Sequence, residues 1–256
     1  MVYQRTSRGV VVLNLSTRPV VIDIETANLG PGTPGSRVNP EDWQIACVGV
    51  YDSLSDTRYV FLSFPEVVRL EGDPDVNDYL FNLLHHNLLE ATTADQVLPL
   101  TELASLVEEW ALSGRHFLTH RGHTFDWPIL GHHLGLDEAY KNLDLGGQLL
   151  DTHAYIEQQT GLNCSLESLI KASLGPQEGK LMQGKDAPLK WQQGIQQFRS
   201  TGQVADLALV IDYCLDDVVK TFQVFKRGLN FGVLDVVPRG ASQSVVIALF
   251  DWGLNL

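Results

Sequence analysis

The sequence predicts an α/β protein in which one mixed sheet is flanked by helices. Two kinds of segment indicate this class: short runs rich in β-branched residues, which are typical of buried strands, and longer segments with the apolar spacing of amphipathic helices. The chain has 256 residues, of which 44% are hydrophobic and 19% are charged. This length and composition are typical of a soluble globular protein with one large domain or two small ones.

Strands are predicted where β-branched, apolar runs are bounded by turn residues. The first covers residues 17–24, and the following residues, 29–40, contain three glycines and three prolines and therefore form a loop. The other predicted strands are 43–52 and 57–64, which flank a short turn as a hairpin, 115–120, and two strands within 232–252.

Helices are predicted where the apolar period changes to three and four residues. They are expected at 73–91, 99–114, 149–161, 165–175 and 204–228, with a further helix that begins at Asp126. Asp126 is expected to be the N-cap of its helix, with Pro128 in the first turn. The segment 204–228 has the longest amphipathic pattern of the chain.

The charge is strongly negative and unevenly distributed. A net charge of −13 argues against a protein that coats nucleic acid, because the phosphate backbone would be repelled. Residues 171–199 nevertheless contain five basic and two acidic side chains. This stretch is either a solvated loop and helix face or a basic wall that follows a phosphate backbone.

Cysteine usage and hydropathy indicate a cytoplasmic protein. Cys47, Cys164 and Cys214 lie far apart and form no CxxC pair, so neither a disulfide framework nor a zinc knuckle is indicated. A reducing compartment is therefore expected. No apolar run approaches the length of a membrane span, and the short apolar patch near the N-terminus is interpreted as a strand rather than a signal peptide.

Two carboxylates end the first predicted strand. Side chains alternate along a strand, so Asp23 and Glu25 would point to the same face. Buried carboxylates are costly unless they are paired or hold a cation, and oxygen ligands suit Mg²⁺ or Mn²⁺. The alternative is that the strand stops at Ile22 and both acids lie in a solvated loop.

Two further acids lie beside apolar residues. Asp126 follows Phe125 between a strand and a helix, and Asp217 lies four residues after Tyr213, on the same helix face. The neighbouring Asp216 falls on the solvated face. The alternatives are that Asp126 only caps its helix and that Asp217 is a surface acid.

Three motifs follow one another along the chain: Asp-x-Glu on a first strand, Phe-Asp at a helix start and Tyr-x₃-Asp on a late helix. In this order, over residues 17–228, they resemble the DEDD 3′–5′ exonucleases of the tyrosine branch (DEDDy). This family includes the proofreading domain of family-B DNA polymerases and stand-alone bacterial relatives, some fused to helicases. The resemblance implies a ribonuclease-H-like mixed β-sheet flanked by helices in residues 1–228. Residues 229–256 would add a C-terminal β-hairpin that packs on the same domain.

The resemblance also implies a metal-dependent 3′–5′ exonuclease that hydrolyses phosphodiester bonds of single-stranded DNA or RNA. Asp23, Glu25, Asp126 and Asp217 would hold two Mg²⁺ or Mn²⁺ ions about 3.5–4 Å apart, and Tyr213 would orient the attacking water. The expected partners are a single strand with a free 3′ end and a helicase or polymerase, without a membrane. The expected substrate contacts are Thr26, Arg121, Phe125, Lys185, Lys190 and Trp191, of which Trp191 is either a base-stacking surface or a core residue.

Arg121 departs from the family pattern, which has an asparagine five positions before the second-motif aspartate. An arginine is larger and always charged. Its guanidinium is expected either to point outward to an incoming phosphate, which the following Gly122 favours, or to turn inward and pair with Asp126 or Glu25. Arg121 and the negative net charge also favour an alternative function, a catalytically weak nuclease-like module that binds nucleic acid or a partner protein.

Overall fold

The computed structural model describes residues 3–6, 9–12, 18–28, 39–68, 73–241 and 245–248. The predicted loop at 29–40 lies outside the described residues except for Asn39 and Pro40. The strands are β1 Tyr3–Thr6, β2 Gly9–Val12, β3 Val20–Thr26, β4 Ile45–Asp52, β5 Thr57–Leu62, β6 Gln96–Pro99, β7 Phe117–Thr119, β8 Leu149–Asp151, β9 Val233–Val236 and β10 Val245–Ala248. The helices are α1 Phe64–Val67, α2 Pro74–Ala91, α3 Leu103–Leu112, α4 Asp126–Leu134, α5 Asp137–Leu145, α6 Thr152–Thr160, α7 Leu166–Leu174, α8 Ala187–Thr201 and α9 Ala205–Phe231.

A mixed six-stranded sheet forms the centre of the fold, in the order β6-β5-β4-β3-β7-β8. Strands β3, β4 and β5 are antiparallel neighbours, whereas β6, β7 and β8 each run parallel to the strand beside them. Helices flank this sheet, so the predicted fold class is confirmed. Because β3, β7 and β8 run in the same direction, their carboxyl ends meet at one edge of the sheet, where parallel sheets commonly place their sites.

Helices cover both faces of the sheet. On β3, the side chains of Val20, Ile22 and Ile24 pack into a core with α3 and α4, whereas Val21 packs into a second core with α9. Helix α9 contacts both β3 and β4. This close crossing places the middle of α9 over the end of β3.

Some elements differ from their predictions for identifiable reasons. Leu149 and Leu150 were expected to begin a helix, but they pair with β7 as strand β8, and α6 starts only after Asp151, which caps it. Helix α8 lies within the basic stretch and was not predicted, because its buried positions include a glycine and are surrounded by glutamines. That residue, Gly194, is required by close packing, since a Cβ there would lie 2.7 Å from the backbone nitrogen of Leu207.

The C-terminal strands form a separate two-stranded pair, β9 with β10, whose first strand packs against α7 and α9. Leu234 and Val236 of β9 are fully buried, and the Ser173 hydroxyl of α7 donates to the Asp235 carbonyl at 2.7 Å. Cys47, Cys164 and Cys214 are free and buried. None of the helices in the described ranges combines the length and apolarity that a membrane crossing requires.

Candidate active site

The first two carboxylates lie inside the sheet. Strand β3 continues to Thr26, so the alternative in which Asp23 and Glu25 occupy a solvated loop is wrong. The two residues alternate with Ile24 and therefore share the face that α9 covers. Glu25 is 8% exposed, and the buried Thr26 hydroxyl donates to the Asn28 carbonyl at 3.0 Å.

The third carboxylate supports the end of β3 from the opposite helix layer. Asp126 is the first residue of α4, and Phe125 occupies the N-cap position, so the predicted N-cap role of Asp126 is wrong. Its Oδ1 instead accepts a hydrogen bond from the Ile24 backbone N–H at 3.0 Å. The pairing of β3 with β7 extends only to Val21, so the aspartate satisfies a backbone donor beyond the ladder.

Helix α9 supplies the fourth carboxylate and the tyrosine. Tyr213 and Asp217 are each 2% exposed, so the alternative of a surface acid is wrong for Asp217. Asp216 points to the more exposed side of the helix and accepts from Lys220 Nζ at 2.8 Å. Cys214 lies between Tyr213 and Asp217 in the sequence. Its thiol contacts the Asp23 carbonyl at 3.5 Å and holds the helix against β3.

A lysine that the sequence did not single out completes the cluster. The Lys180 ammonium forms an ion pair with Asp217 Oδ2 and donates to the Tyr213 hydroxyl at 2.9 Å. It belongs to the basic stretch 171–199, which gave no reason to separate it from the other four basic residues there. Its proximity to Tyr213 and Asp217 arises from the loop between α7 and α8, which sequence periodicity does not specify.

The carboxyl groups experience a shortage of positive charge. Burial, followed by repulsion from neighbouring carboxylates, raises the pKa of Asp23 and Glu25 well above their usual range. Burial also raises the pKa of Asp126 to about 7. For Asp217, burial outweighs the opposing attraction of Lys180, so its pKa is raised as well.

The basic and phenolic groups of the cluster keep their protons. Burial disfavours the Lys180 ammonium, but attraction to Asp217 and then to Asp23 and Glu25 prevails and raises its pKa. Burial, with repulsion from Asp217 and Glu25, raises the pKa of Tyr213 far above its ordinary value of 10. Without bound cations, the phenol is therefore a neutral hydrogen-bonding group at physiological pH.

Of the two poses expected for Arg121, the structure excludes the inward one, and the outward pose toward a phosphate stays a prediction. The residue has a φ of +72°, a conformation in which asparagine is enriched and arginine is uncommon, and its backbone N–H donates to Asp151 Oδ1 at 2.9 Å. Its guanidinium contacts Asn163 Oδ1 at 2.8 Å and His153 Nε2 at 3.1 Å. The inward pairing with Asp126 or Glu25 is therefore wrong.

Asp151 holds the turn that carries Arg121 and was not predicted as a functional residue. It accepts from the backbone N–H groups of Arg121 and His123 and caps α6 through His153 and Ala154. Burial works against its charge, but these hydrogen bonds and the His123 imidazole hold its pKa well below the usual range. A fixed negative charge at the end of β8 therefore organises this side of the site.

The cluster opens into a cavity of about 610 Å³. Its lining combines the acids with basic, hydroxyl and amide groups from other elements: Asp23, Glu25, His120, Arg121, Asn163, Ser165, Leu166, Ser168, Lys180, Tyr213, Asp217, Val237, Pro238, Arg239, Gly240 and Ala241. The turn 237–241 was not predicted to contribute. Asp126 is not among these lining residues, but it is close enough to Asp23 to raise the pKa of that carboxyl group, and its Oδ1 binds the Ile24 N–H.

Several predicted substrate contacts lie outside the cavity wall. Trp191 is 1% exposed and packs in the core. The prediction that it stacks on a base is therefore wrong, and the alternative that it is a core residue is confirmed. Lys190 pairs with Asp206 at 3.0 Å, and Lys185 is exposed in the short helix before α8. Phe125 packs edge-on against the Trp43 ring, with centroids 5.0 Å apart.

The side chains present fit a divalent cation. Ligand atoms of Asp23, Glu25 and Cys214 lie within 4.8 Å of one another, and Asp217 Oδ1 is buried without a hydrogen-bond partner among the described residues. Burial and a hydrogen bond with Cys47 raise the pKa of the Cys214 thiol, so it stays neutral. Hard cations prefer oxygen, so the carboxylates are the suitable ligands.

Among solved structures, the chain is similar to the family B DNA polymerase from the hyperthermophilic archaeon Pyrobaculum calidifontis, with 16% identity over 83% of this chain and a TM-score of 0.45. The chain spans about a quarter of that polymerase, 24% of its length. No curated protein matches the chain. A family model described as RNase_H superfamily matches residues 69–228, which is more than half of the chain, and the chain therefore belongs to the RNase_H superfamily.

Proposed function

We propose that the chain is a metal-dependent 3′–5′ exonuclease that hydrolyses phosphodiester bonds of single-stranded DNA or RNA. One observation carries the proposal: acidic side chains from three distant parts of the sequence converge at the end of β3. Asp23, Glu25 and Asp217 line one cavity, and Asp126 is hydrogen-bonded to the strand segment between the first two. A buried cluster of like charges requires compensating cations, and here all four carboxyl pKa values are raised.

The four carboxylates would hold Mg²⁺ or Mn²⁺, two ions per site. Bound divalent ions supply positive charge against the scissile phosphate and lower the pKa of a coordinated water. The chain's own part is to keep the carboxylates in place. Asp126 does so through the Ile24 N–H, and the buried Cys214 side chain fixes α9 against β3.

Tyr213 and Lys180 would position the reacting groups. The phenol is protonated in the cation-free site, and its hydroxyl would orient a water molecule by a hydrogen bond. Lys180 donates to that hydroxyl at 2.9 Å and pairs with Asp217, which limits the movement of both side chains. The ammonium also brings a positive charge into an otherwise acidic part of the cavity.

The size of the cavity supports a strand end as the substrate. At about 610 Å³ it falls within the range of small-molecule pockets, which suits a few nucleotides of one strand better than a duplex. The 3′–5′ polarity follows from the resemblance of the three motifs to the DEDDy exonucleases. The choice between DNA and RNA depends on contacts with the 2′-hydroxyl, so both are substrates to test.

The test is cleavage of single-stranded DNA and RNA that carry a 5′ label, in Mg²⁺, in Mn²⁺ and in a chelator. The proposal predicts labelled products that shorten stepwise from the 3′ end, only when the divalent ion is present. Asp217→Asn should abolish this ladder, whereas Asp216→Asn, which changes the adjacent carboxylate outside the cavity, should retain it. Immediate release of the labelled 5′ nucleotide, or cleavage that persists in chelator, would refute the proposal.

One observation favours a second function, a nuclease-like module that binds nucleic acid without cleaving it. The Lys180 ammonium already neutralises Asp217, a carboxylate that the exonuclease needs as a ligand. If the ammonium retained this place in the presence of divalent ions, the cavity would bind a strand end but would not hydrolyse it. The same oligonucleotides separate the two functions, since the module would shift in a binding assay and give no ladder.

A further inference from the structure

We infer that Arg121 and Arg239 together form a binding site for one phosphate of the substrate strand, in the same cavity that Asp23, Glu25 and Asp217 line. We call this pair the arginine wall. The inference rests on the proposed function and extends it, because it assigns a substrate-binding role to the turn Val237–Ala241. That turn belongs to the C-terminal segment, which lies outside the three nuclease motifs.

The cavity contains both acidic and basic side chains. Asp23, Glu25 and Asp217 line it, and Lys180, which also lines it, is paired with Asp217. The two arginines line the same cavity, together with the neutral side chains of Asn163, Ser165 and Ser168. A strand that enters this cavity therefore meets carboxyl groups and guanidinium groups of the same cavity.

Arg121 is held in place by groups that do not cancel its charge. Its guanidinium contacts the Asn163 amide oxygen and a His153 ring nitrogen, and Asp151 is bonded to its backbone. Within the described residues, it has no acidic partner within 4.0 Å, and its buried Nε has no hydrogen-bond partner. Both guanidinium contacts use Nη2, and no hydrogen bond from Nη1 to a described residue is seen, so Nη1 is the group that can donate to a phosphate oxygen.

Arg239 is brought to the same place by the same residue. Its backbone N–H donates to the Asn163 carbonyl at 2.7 Å, while the Asn163 side chain binds Arg121. The turn is closed by a bond of 2.9 Å from Ala241 N–H to the Pro238 carbonyl, with Gly240 at a φ of +84°. The Arg239 side chain is exposed and, among the described residues, forms no ion pair within 4.0 Å.

The turn is anchored firmly enough to position a substrate. The preceding strand β9 buries Leu234 and Val236 completely, and the Ser173 hydroxyl of α7 binds the Asp235 carbonyl. Binding sites are more precise when they are supported by packed elements than when they lie on free loops. The serine hydroxyls of Ser165 and Ser168, at the start of α7, supply further neutral groups along the same wall.

The first experiment measures binding of a fluorescent single strand, with Ca²⁺ in place of Mg²⁺ to suppress cleavage, over a range of salt concentrations. Arg239→Gln and Arg121→Gln should each weaken binding roughly tenfold, as expected for the loss of a charged hydrogen bond. Each should also reduce the salt slope by about 0.7, the value of one phosphate contact on a single strand. Lys226→Gln removes the same charge from an exposed position of α9 outside the cavity wall, and should leave binding and slope unchanged.

The second experiment locates the phosphate. Strands in which one linkage at a time is a neutral methylphosphonate are bound by wild type and by Arg239→Gln, and the losses are compared as a double-mutant cycle. The two losses should fail to add at one linkage, where the arginine and the phosphate interact. A matching comparison of strands with a 3′-hydroxyl and a 3′-phosphate shows whether the contacted group is internal or terminal.

The outcomes separate this inference from the proposed function. If the wild type shows metal-dependent cleavage while both arginine variants behave like Lys226→Gln, the arginine wall is overturned and the exonuclease stands. If losses add at every linkage and at the terminal phosphate, the inference is likewise overturned. If the wild type binds strands but gives no cleavage, the exonuclease proposal fails. The salt slopes of the arginine variants then still test whether the arginine wall binds a phosphate. Should Arg121→Gln not fold, the exposed Arg239→Gln carries the test.

Discussion

Replacing Lys180 by methionine removes the one ammonium from the cluster while keeping most of its side-chain volume. In the structure this ammonium pairs with Asp217 and donates to Tyr213 at 2.9 Å. The pair is largely withdrawn from solvent, with side-chain exposures of 16% for the lysine and 2% for the aspartate. We therefore expect the variant to be markedly less stable than the wild type in the absence of divalent ions.

The expected loss follows from the burial of the partner that remains. Breaking a buried ion pair by removing one member costs about 3–5 kcal/mol, because the other charge is left uncompensated. Asp23 and Glu25 increase this cost, since Lys180 also attracts them. The loss should shrink as the pH falls, because Asp217 has a raised pKa and can neutralise itself by taking up a proton. It should also shrink when Mg²⁺ or Mn²⁺ supplies the missing charge.

Urea unfolding in a chelator at neutral and at lower pH, and at neutral pH with saturating Mn²⁺, measures both effects. Lys171→Met is the matched control, because Lys171 makes an exposed pair with Glu167 at side-chain exposures of 45% and 46%. Such a pair contributes only about 0.3–0.5 kcal/mol. If Lys180→Met were no more destabilising than Lys171→Met in chelator, the claim that the buried carboxyl groups lack compensating positive charge would be refuted.

Three further predictions concern single side chains of the site. Tyr213→Phe keeps the ring and should slow cleavage roughly tenfold or more by removing a positioning hydrogen bond, with Mn²⁺ affinity unchanged in a titration; equal rates would contradict its role. In chelator, Asp126 should contribute a fall in unfolding free energy of up to roughly 4 kcal/mol as the pH rises from about 4 to about 7, because the folded residue keeps its proton to about 7 and the unfolded residue loses it near 3.8. Asp126→Asn should reduce this fall in urea titrations at several pH values, and an unchanged fall would contradict the assignment. Arg121→Asn should leave Mn²⁺ affinity unchanged, because the guanidinium touches neither Asp126 nor Glu25; a gain in affinity by calorimetry would contradict that.

The sequence was sufficient where one physical pattern decided the outcome. Alternation along β3 placed Asp23 and Glu25 on one face, and the four-residue spacing on α9 placed Tyr213 and Asp217 together. The hairpin of β4 and β5 followed from its β-branched composition and short turn. These relations are local, so they can be derived from neighbouring residues alone.

The rest depends on contacts between distant parts of the chain. Lys180 reaches Tyr213 across 33 residues, and Asn163 reaches Arg121 across 42. Trp191 was ambiguous because a helix with a glycine in its packed face does not stand out as amphipathic. Asp126 looked like a helix cap because its true partner, the Ile24 N–H, lies 102 residues earlier.

Calorimetric titration with Mn²⁺ tests most directly whether the carboxylates of β3 and α9 form a divalent-cation site. The wild type should bind the ion, and an ion at about 100 times its dissociation constant should stabilise the fold by about 2.7 kcal/mol. Asp23→Asn should lose both effects, whereas Asp216→Asn, whose carboxylate pairs with Lys220 outside the cavity, should retain them. Binding and stabilisation by Mn²⁺ that were equal in Asp23→Asn and wild type would contradict the metal site and, with it, the proposed mechanism.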